Sequence, residues 1–485
     1  MGVNRRVGVF GWGIVAPKSP DIAAFRKNLS SSESWLSAFE GFGPNNFLVG
    51  VPEFRFSDYQ KWIEERFAPR HFQKLKEKMD WPAQYAIGSF IQALGQNPGM
   101  EAELQKLAQQ AHVYVGTGVG SLDTIYRASI RLHEAQQCWD AFWANRSFEL
   151  KEYLAELAEI ENVGIEGKIE AGKLHAIREK EKRRAKLQEK WNAPEPPWSV
   201  SADVIWNIHN TPAAQISILG KIKGLAFAPV AACSTFGVAL RLAMRAIQSG
   251  DAKAVVVGAT DPPPHPLLVG SFYTARVLSA DGNVSVPLTR LQGTHVAGGA
   301  VVWILGDFDY MTAKGFKPLG MEPLAVGVSS DAEHIITPSI EGPKAAILGA
   351  LDAAGATPND LASWDLHATA TPGDYSEIAT FRSIFPSPVM IAARKGTFGH
   401  GMSAGGGWEL TAQYLGYEQG QLFPTPLKAD ELNTSIRQVH DQFVFDAGCE
   451  VIPGLAGKLS MGIGGINACV ISRPLSRDGA ERSES

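Results

Sequence analysis

Three side chains able to do nucleophilic and acid-base chemistry stand where apolar, strand-like runs give way to loops. Cys233 lies in Val230-Ala-Ala-Cys-Ser-Thr-Phe-Gly237, between the run Leu225 to Pro229 and the helix-like run Val238 to Gln248. A strand-to-helix turn aims the sulfur at a helix N-terminus, where the dipole and free backbone N–H groups lower a thiol's pKa, as a nucleophilic cysteine requires. A lone cysteine is more often a small buried hydrophobe. His367 leaves a short apolar run in Asp365-Leu-His-Ala-Thr-Ala-Thr-Pro-Gly-Asp374, and His400 sits in Lys395-Gly-Thr-Phe-Gly-His-Gly-Met-Ser-Ala-Gly-Gly-Gly-Trp-Glu409. Either histidine alone reads as a hydrogen-bonded core residue. One cysteine and two histidines, each on a strand-end loop, shift the reading to a nucleophilic site.

The elements that must position them are short apolar runs alternating with helical stretches: His112 to Gly116, Leu225 to Pro229, Ala254 to Ala259, Ala300 to Leu305, Val389 to Ala393 and Lys458 to Gly462. Strands of this texture are buried on both faces, which predicts an α/β fold with sheets sandwiched between helices. Glycines cluster after several of them, at 116–120, 399–407 and 462–465, where chemistry sits in such folds. The 485 residues, 45% hydrophobic and 20% charged, suffice for two or three domain-sized units. A net charge of -5 gives no reason to expect nucleic acid. Four separated cysteines form no C-x-x-C pair, so neither a disulfide framework nor a thiolate zinc site is expected, and a reducing compartment is.

Arg5 and Arg6 precede the apolar run Val7 to Ala16, but its glycines and Pro17 read as a buried strand entering a turn, without a cleavage pattern. Gly2 lacks the Ser or Thr that myristoylation wants at position 6, and no stretch has the eighteen or so apolar residues of a spanning helix. The expected location is cytoplasmic, with no membrane span. Gly11-Trp-Gly-Ile-Val-Ala16 fits a dinucleotide pattern, yet Pro17 and Pro20 interrupt the helix whose N-terminus would bind pyrophosphate. Histidines 265, 295, 334, 367 and 400 show no metal-ligand spacing, so no metal is expected.

One segment departs from this texture. Between Glu149 and Lys190, ten glutamates and ten Lys/Arg are segregated by sign, acidic first and basic second, with glycines at 164, 167 and 172 near the changeover. This predicts an exposed helix, break, helix excursion with complementary charges, ended by Ala193-Pro-Glu-Pro-Pro197. Leu150, Leu154, Leu157 and Ile160 give its first half a thin apolar stripe.

Taken together, the motifs resemble the β-ketoacyl-ACP synthases of the thiolase superfamily, in the decarboxylating, chain-elongating class with a Cys-His-His site. The resemblance runs through Arg5-Arg-Val-Gly-Val-Phe-Gly-Trp-Gly-Ile-Val-Ala-Pro17, Val113-Tyr-Val-Gly-Thr-Gly-Val-Gly120, the Cys233 turn, Thr274-Ala-Arg-Val-Leu-Ser279, both histidine motifs and Ser460-Met-Gly-Ile-Gly-Gly-Ile-Asn-Ala468. It implies a thiolase-like duplicated fold layered α-β-α-β-α, with halves 1–265 and 266–475, a helical insertion at about 135–198 and a polar tail 476–485. It makes Cys233 the acyl acceptor, sets His367 and His400 against the malonyl thioester, and has Lys395 order the site with support from Glu409 and Asp374. Thr369 and Thr371 match threonines that bind the pantetheine arm. Ile463 falls at the gating loop, where its backbone N–H would join that of Cys233 as an oxyanion hole. No bound cofactor is implied, since the acyl groups arrive on the phosphopantetheine of an acyl carrier protein. The partners implied are that carrier and a second subunit, identical or a related synthase.

Several positions depart from the family's pattern. Ala368 replaces a glycine, one residue is missing between Pro372 and Asp374, Gly396 replaces a serine, Ile463 replaces a phenylalanine and Ile466 a threonine. Val286-Pro-Leu-Thr-Arg290 matches only loosely. These departures suggest a divergent branch serving a specialised pathway, and they bear most on acyl-chain preference. A thiolase would need a second catalytic cysteine, but neither Cys449 nor Cys469 lies in a Cys-x-Gly turn, and a starter-type synthase would carry asparagine where His400 stands. The rival from another class is a non-catalytic chain-length or scaffold partner, against which Cys233, His367, His400 and Lys395 argue.

Overall fold

The structure, a computed structural model, describes residues 5–41, 46–165, 170–191, 201–385, 388–436 and 442–475. The 476–485 tail lies outside them. Ten strands build two five-stranded sheets. The first holds β1 (Val7–Val15), β2 (Ala111–Gly116), β3 (Ala226–Phe227), β4 (Ala254–Asp261) and β5 (Gly299–Asp307), in the order β1-β5-β4-β2-β3. The second holds β6 (Met321–Ser330), β7 (Leu361–Asp365), β8 (Met390–Ala392), β9 (Leu455–Gly462) and β10 (Ile466–Pro474), in the order β6-β10-β9-β7-β8. Strand order and direction repeat: β2 runs parallel to β3 and β4 while β5 is antiparallel to β4 and β1, as β7 runs parallel to β8 and β9 while β10 is antiparallel to β9 and β6. The fold is duplicated.

The helices include α1 (Trp81–Leu94), α2 (Leu122–Asn162), α3 (Glu170–Trp191), α4 (Thr235–Ser249), α5 (Glu341–Ala354), α6 (Gly373–Ile384) and α7 (Met402–Gln419). α1 packs on the first sheet and α5 on the second, while α4 and α7 touch strands of both. That is the α-β-α-β-α layering. A helix between two sheets must be apolar all round, and α7 is buried from Met402 to Tyr417. It fits because a Cβ on Gly407 would come within 2.4 Å of Val301 and 2.9 Å of Phe236, so only glycine lets α7 approach β5 and α4 this closely. Trp303 of β5 fills the space beside it, 5.2 Å from the Phe236 ring and 4.9 Å from that of Tyr414, with its indole N–H donating to Thr411 Oγ1 at 2.9 Å.

The structure corrects the expected division between halves. β5 pairs with β1 and β4 in the first sheet, and the second sheet begins only at Met321, so the change falls between Asp307 and Met321 and not at 265/266. The excursion also starts earlier than about 135. α2 begins at Leu122 and runs through Asn162 without a break, and Thr124–Ile205 forms a compact unit of its own. Within that unit the acidic half meets the basic half: Glu161 pairs with Lys180 at 3.2 Å and with Arg184, while Lys182 pairs with Glu179 at 2.8 Å along α3. Leu150 and Leu154 are exposed. Among the described residues no helix is long and apolar enough to cross a membrane.

Candidate active site

β3 ends just before a strained turn. Ala232 adopts φ +46, a left-handed conformation that costs a residue with a Cβ about 1 to 2 kcal/mol. Thr235 Oγ1 stabilises this turn by donating to the Ala232 carbonyl and accepting from the Ala231 N–H, and Ser234 Oγ donates across to the carbonyls of Ser460 and Ile466. The nucleophile turn is thereby fastened to the β9–β10 hairpin. Cys233, 6% exposed, leads into α4, and the backbone N–H groups of Ile463 and of Cys233 itself favour its ionised form. Ile463 itself is 43% exposed on the hairpin turn, where Gly464 and Gly465 take φ +94 and +70.

The thiol differs from the sequence expectation. Burial pushes it up to about 11, and the Ile463 N–H and the Lys395 ammonium only partly oppose that. Loss of hydration outweighs the groups that favour the thiolate here.

The two histidine loops enter from the second half. β7 delivers His367, whose N–H and that of Ala368 both donate to the buried Glu377 carboxylate of α6, at 2.6 and 2.7 Å. Thr369 and Thr371 hydroxyls lie 2.9 Å apart. Asp374 ties their loop down by accepting from the N–H of Thr369 at 2.8 Å and of Leu288 at 3.0 Å. His400 precedes α7, and its ring stands edge-on to that of His367, with centroids 5.6 Å apart. His400 Nδ1 accepts from the Met402 N–H at 3.0 Å, so in the neutral ring the proton is on Nε2, free to donate. Like Ala232, Ala370 and Met402 sit at positive φ, +58 and +49, so each of the three motif loops carries one strained residue.

Behind the rings lies a buried charge network. Lys395 donates to the His367 carbonyl and to Glu409 Oε1 at 2.8 Å, and Lys458 of β9 pairs with Glu409 Oε2 at 2.8 Å. Burial and the Lys395 charge push the His400 imidazole down to about 3, and burial, Lys395, His400 and Lys458 push His367 well below its ordinary value. Both rings are neutral near pH 7. Burial raises Glu377 to about 7 and Asp374 to about 6, while the two lysines overcome burial at Glu409 and hold it below the usual carboxylate range. The Lys395 charge acts on Cys233, His367 and His400 alike.

Four participants escape sequence reading. Lys458 and Glu377 belong to the network above. Asp261, at the end of β4, accepts from the N–H groups of Gly118, Val119 and Ser403 and from Ser403 Oγ, so it clamps the 117–120 loop to the start of α7. Ser234 is the fourth. Only Lys458 left a local signal, as a lysine inside an apolar strand whose residues Ala456 to Met461 are all buried.

Comparison with known proteins agrees with this architecture. Residues 158–307 match the family "Beta-ketoacyl synthase, N-terminal domain" and 322–427 match "Beta-ketoacyl synthase, C-terminal domain", with the gap between them falling at the change of sheet. The 3-oxoacyl-[acyl-carrier-protein] synthase 2 of Vibrio cholerae serotype O1 is 25% identical over 490 residues, covering 96% of this chain and 99% of that protein. The enzyme of the same name from Rhizobium meliloti is 30% identical over 321 residues, 64% of this chain and 71% of that one. Among solved structures, the ishigamide ketosynthase/chain length factor superposes with a TM-score of 0.74 at 20% identity, covering 98% of this chain and 100% of that one. A β-ketoacyl synthase from Burkholderia phymatum gives 0.72 at 18%, covering 97% and 100%. The chain belongs to the β-ketoacyl synthase family of the thiolase superfamily. The relatives named here are 3-oxoacyl-[acyl-carrier-protein] synthases, and a ketosynthase-type role follows.

Proposed function

We propose that this chain is a catalytically competent, decarboxylating ketosynthase that condenses an acyl group held on Cys233 with malonyl carried by an acyl carrier protein, giving 3-oxoacyl-carrier and carbon dioxide. The observation that carries the reading is the pair of buried imidazoles, His367 and His400, edge-on with centroids 5.6 Å apart, together with the buried Cys233 whose turn Ser234 fastens to the hairpin of Ile463. In the first half-reaction the sulfur attacks the acyl thioester, its proton leaves with the departing pantetheine thiolate, and the two N–H groups hold the tetrahedral oxyanion. In the second, malonyl loses carbon dioxide while His367 and His400 donate to the thioester oxygen and stabilise the enolate. The enolate attacks the acyl carbon, and the Cys233 thiolate leaves and takes up a proton. Thr369 and Thr371 hold the pantetheine arm, Lys395, Glu409 and Asp374 keep the rings in place, and no resident cofactor enters a step. The test is intact mass: wild-type protein gains the acyl mass from acyl-ACP and loses it when malonyl-ACP follows. Failure to acylate with any chain length would favour a non-catalytic chain-length partner.

The working unit in this reading includes the carrier and a second subunit, its own copy or a related synthase. Solved relatives include a type II polyketide ketosynthase with its acyl-carrier protein and a Xenorhabdus doucetiae ketosynthase with its chain length factor. The edge strand β3, flanked by exposed Leu225 and Val230, is the surface offered to that subunit.

Ile463→Phe is expected to shift preference towards shorter acyl groups, because an aromatic ring at the gate obstructs a long or rigid chain. Relative kcat/KM across a chain-length series checks it, and an unchanged series removes the gate from the explanation.

Carrier docking falls on the basic face of α3, where Arg178, Arg183 and Lys186 are exposed. Replacing residues 147–193 by a short Gly/Ser linker is expected to leave acylation by a small soluble thioester intact and to raise KM for acyl-ACP, more strongly at low salt. Equal loss with both donors would assign the excursion to support of the fold.

A further inference from the structure

Lys458 stands in the middle of β9 with 1% of its surface exposed. An ammonium so placed is costly unless it is paired and hydrogen-bonded on every side. Its Nζ lies 2.8 Å from Glu409 Oε2 and donates to the Leu366 carbonyl at 3.3 Å and to the Leu459 carbonyl. Lys395 takes the other oxygen of the same carboxylate at 2.8 Å and donates to the His367 carbonyl. Two ammoniums therefore grip successive carbonyls of the peptide that enters the His367 loop, with one carboxylate shared between them. Burial pulls the Lys458 ammonium below its ordinary value, and the shared Glu409 charge opposes that.

The other groups around Lys458 do not cancel its charge. Asp365 of β7 is engaged by Arg394 at 2.6 Å. Glu377 of α6 spends both oxygens on the His367 and Ala368 N–H groups and is pushed up to about 7 by burial. Cys469 of β10 is fully buried, where burial raises the thiol and the Lys458 charge only partly opposes it. His367 and His400 both lie in the field of Lys458, which, with Lys395, disfavours their cationic forms.

We propose that Lys458 is a positioning residue of this site: by sharing Glu409 with Lys395 and holding the Leu366 carbonyl, it fixes the entry to the His367 loop and places a second buried positive charge beside that of Lys395. The inference rests on the ketosynthase reading. Removing the charge leaves Lys395 neutralised by Glu409 alone, so a proton on either ring becomes easier to accommodate, and a cationic ring loses the geometry in which His400 Nδ1 accepts from Met402.

The test compares wild type, Lys458→Gln, Lys458→Met and Lys458→Arg in two assays, Cys233 acylation by intact mass and malonyl-ACP decarboxylation, the latter across about pH 4 to 9. Wild-type decarboxylation should stay level to the acid end of that range, since His400 is pushed down to about 3, and both uncharged variants are expected to bring an acidic limb into it, through kcat and not KM, while acylation near pH 8 changes little. Lys458→Arg keeps the charge and should keep the wild-type profile. Near-UV circular dichroism confirms that each variant is folded. If the uncharged variants do not fold, Lys458→Arg decides: a limb displaced despite the retained charge overturns the proposal. So does a wild-type profile in folded Lys458→Gln or Lys458→Met, or equal loss in both assays with no shift. If wild-type protein neither acylates nor decarboxylates, the functional reading itself fails, an outcome separate from any difference among the variants.

Discussion

Cys233→Ala is expected to gain no acyl mass from any acyl-ACP and to lose condensation by roughly 10⁴-fold or more, because the covalent intermediate has no other acceptor. The substitution is clean in structural terms. Cys233 is 6% exposed, and alanine removes only the sulfur while leaving Ala232, Ser234 and their hydrogen bonds to Thr235, Ser460 and Ile466 in place. The variant should still decarboxylate malonyl-ACP, since the imidazoles and the Lys395–Glu409 pair are untouched. Intact mass and carbon dioxide release measured on one sample separate the two half-reactions. Acylation that survives in Cys233→Ala would place the nucleophile elsewhere, with exposed Cys138 and half-buried Cys449 the next thiols to examine.

Loss of either imidazole is expected to strike the other half-reaction. His400→Ala and His367→Ala should each slow malonyl-ACP decarboxylation by about a hundred- to thousand-fold, the usual effect of deleting one preorganised donor to a developing oxyanion. Acylation of Cys233 should fall much less, because its oxyanion is held by the backbone N–H groups of Ile463 and Cys233. The wild-type rate should stay level as pH drops from about 8 towards 6, since burial and Lys395 depress both imidazoles and neither takes up a proton in that range. His400→Ala strands the Met402 N–H, so a thermal melt belongs beside the kinetics. Decarboxylation within about threefold of wild type in either variant would remove that ring from the mechanism.

Local pattern carried far in this chain. Valine- and alanine-rich runs located the buried strands because a strand covered on both faces holds few polar residues, and the glycine clusters after them marked the 117–120 loop, the loop of His400 and the turn of Ile463. Segregated charge located the excursion, since no core accepts such density.

Partnership was decided only in three dimensions. The run at Ala300 to Leu305 announces a strand but not its neighbours, and its pairing with β1 and β4 moved the change of sheet past Asp307. α2 starts at Leu122 because nothing in the chain before the charged stretch stops a helix, a point that charge density does not address. The Cys233 thiol rises where its helix N-terminus alone would lower it, because desolvation sums over every layer around it. Lys458, Glu377, Asp261 and Ser234 act through partners distant in sequence or through backbone groups, and no spacing rule encodes those. Residue types fixed which chemistry the chain can hold; burial fixed which of its protons stay in place.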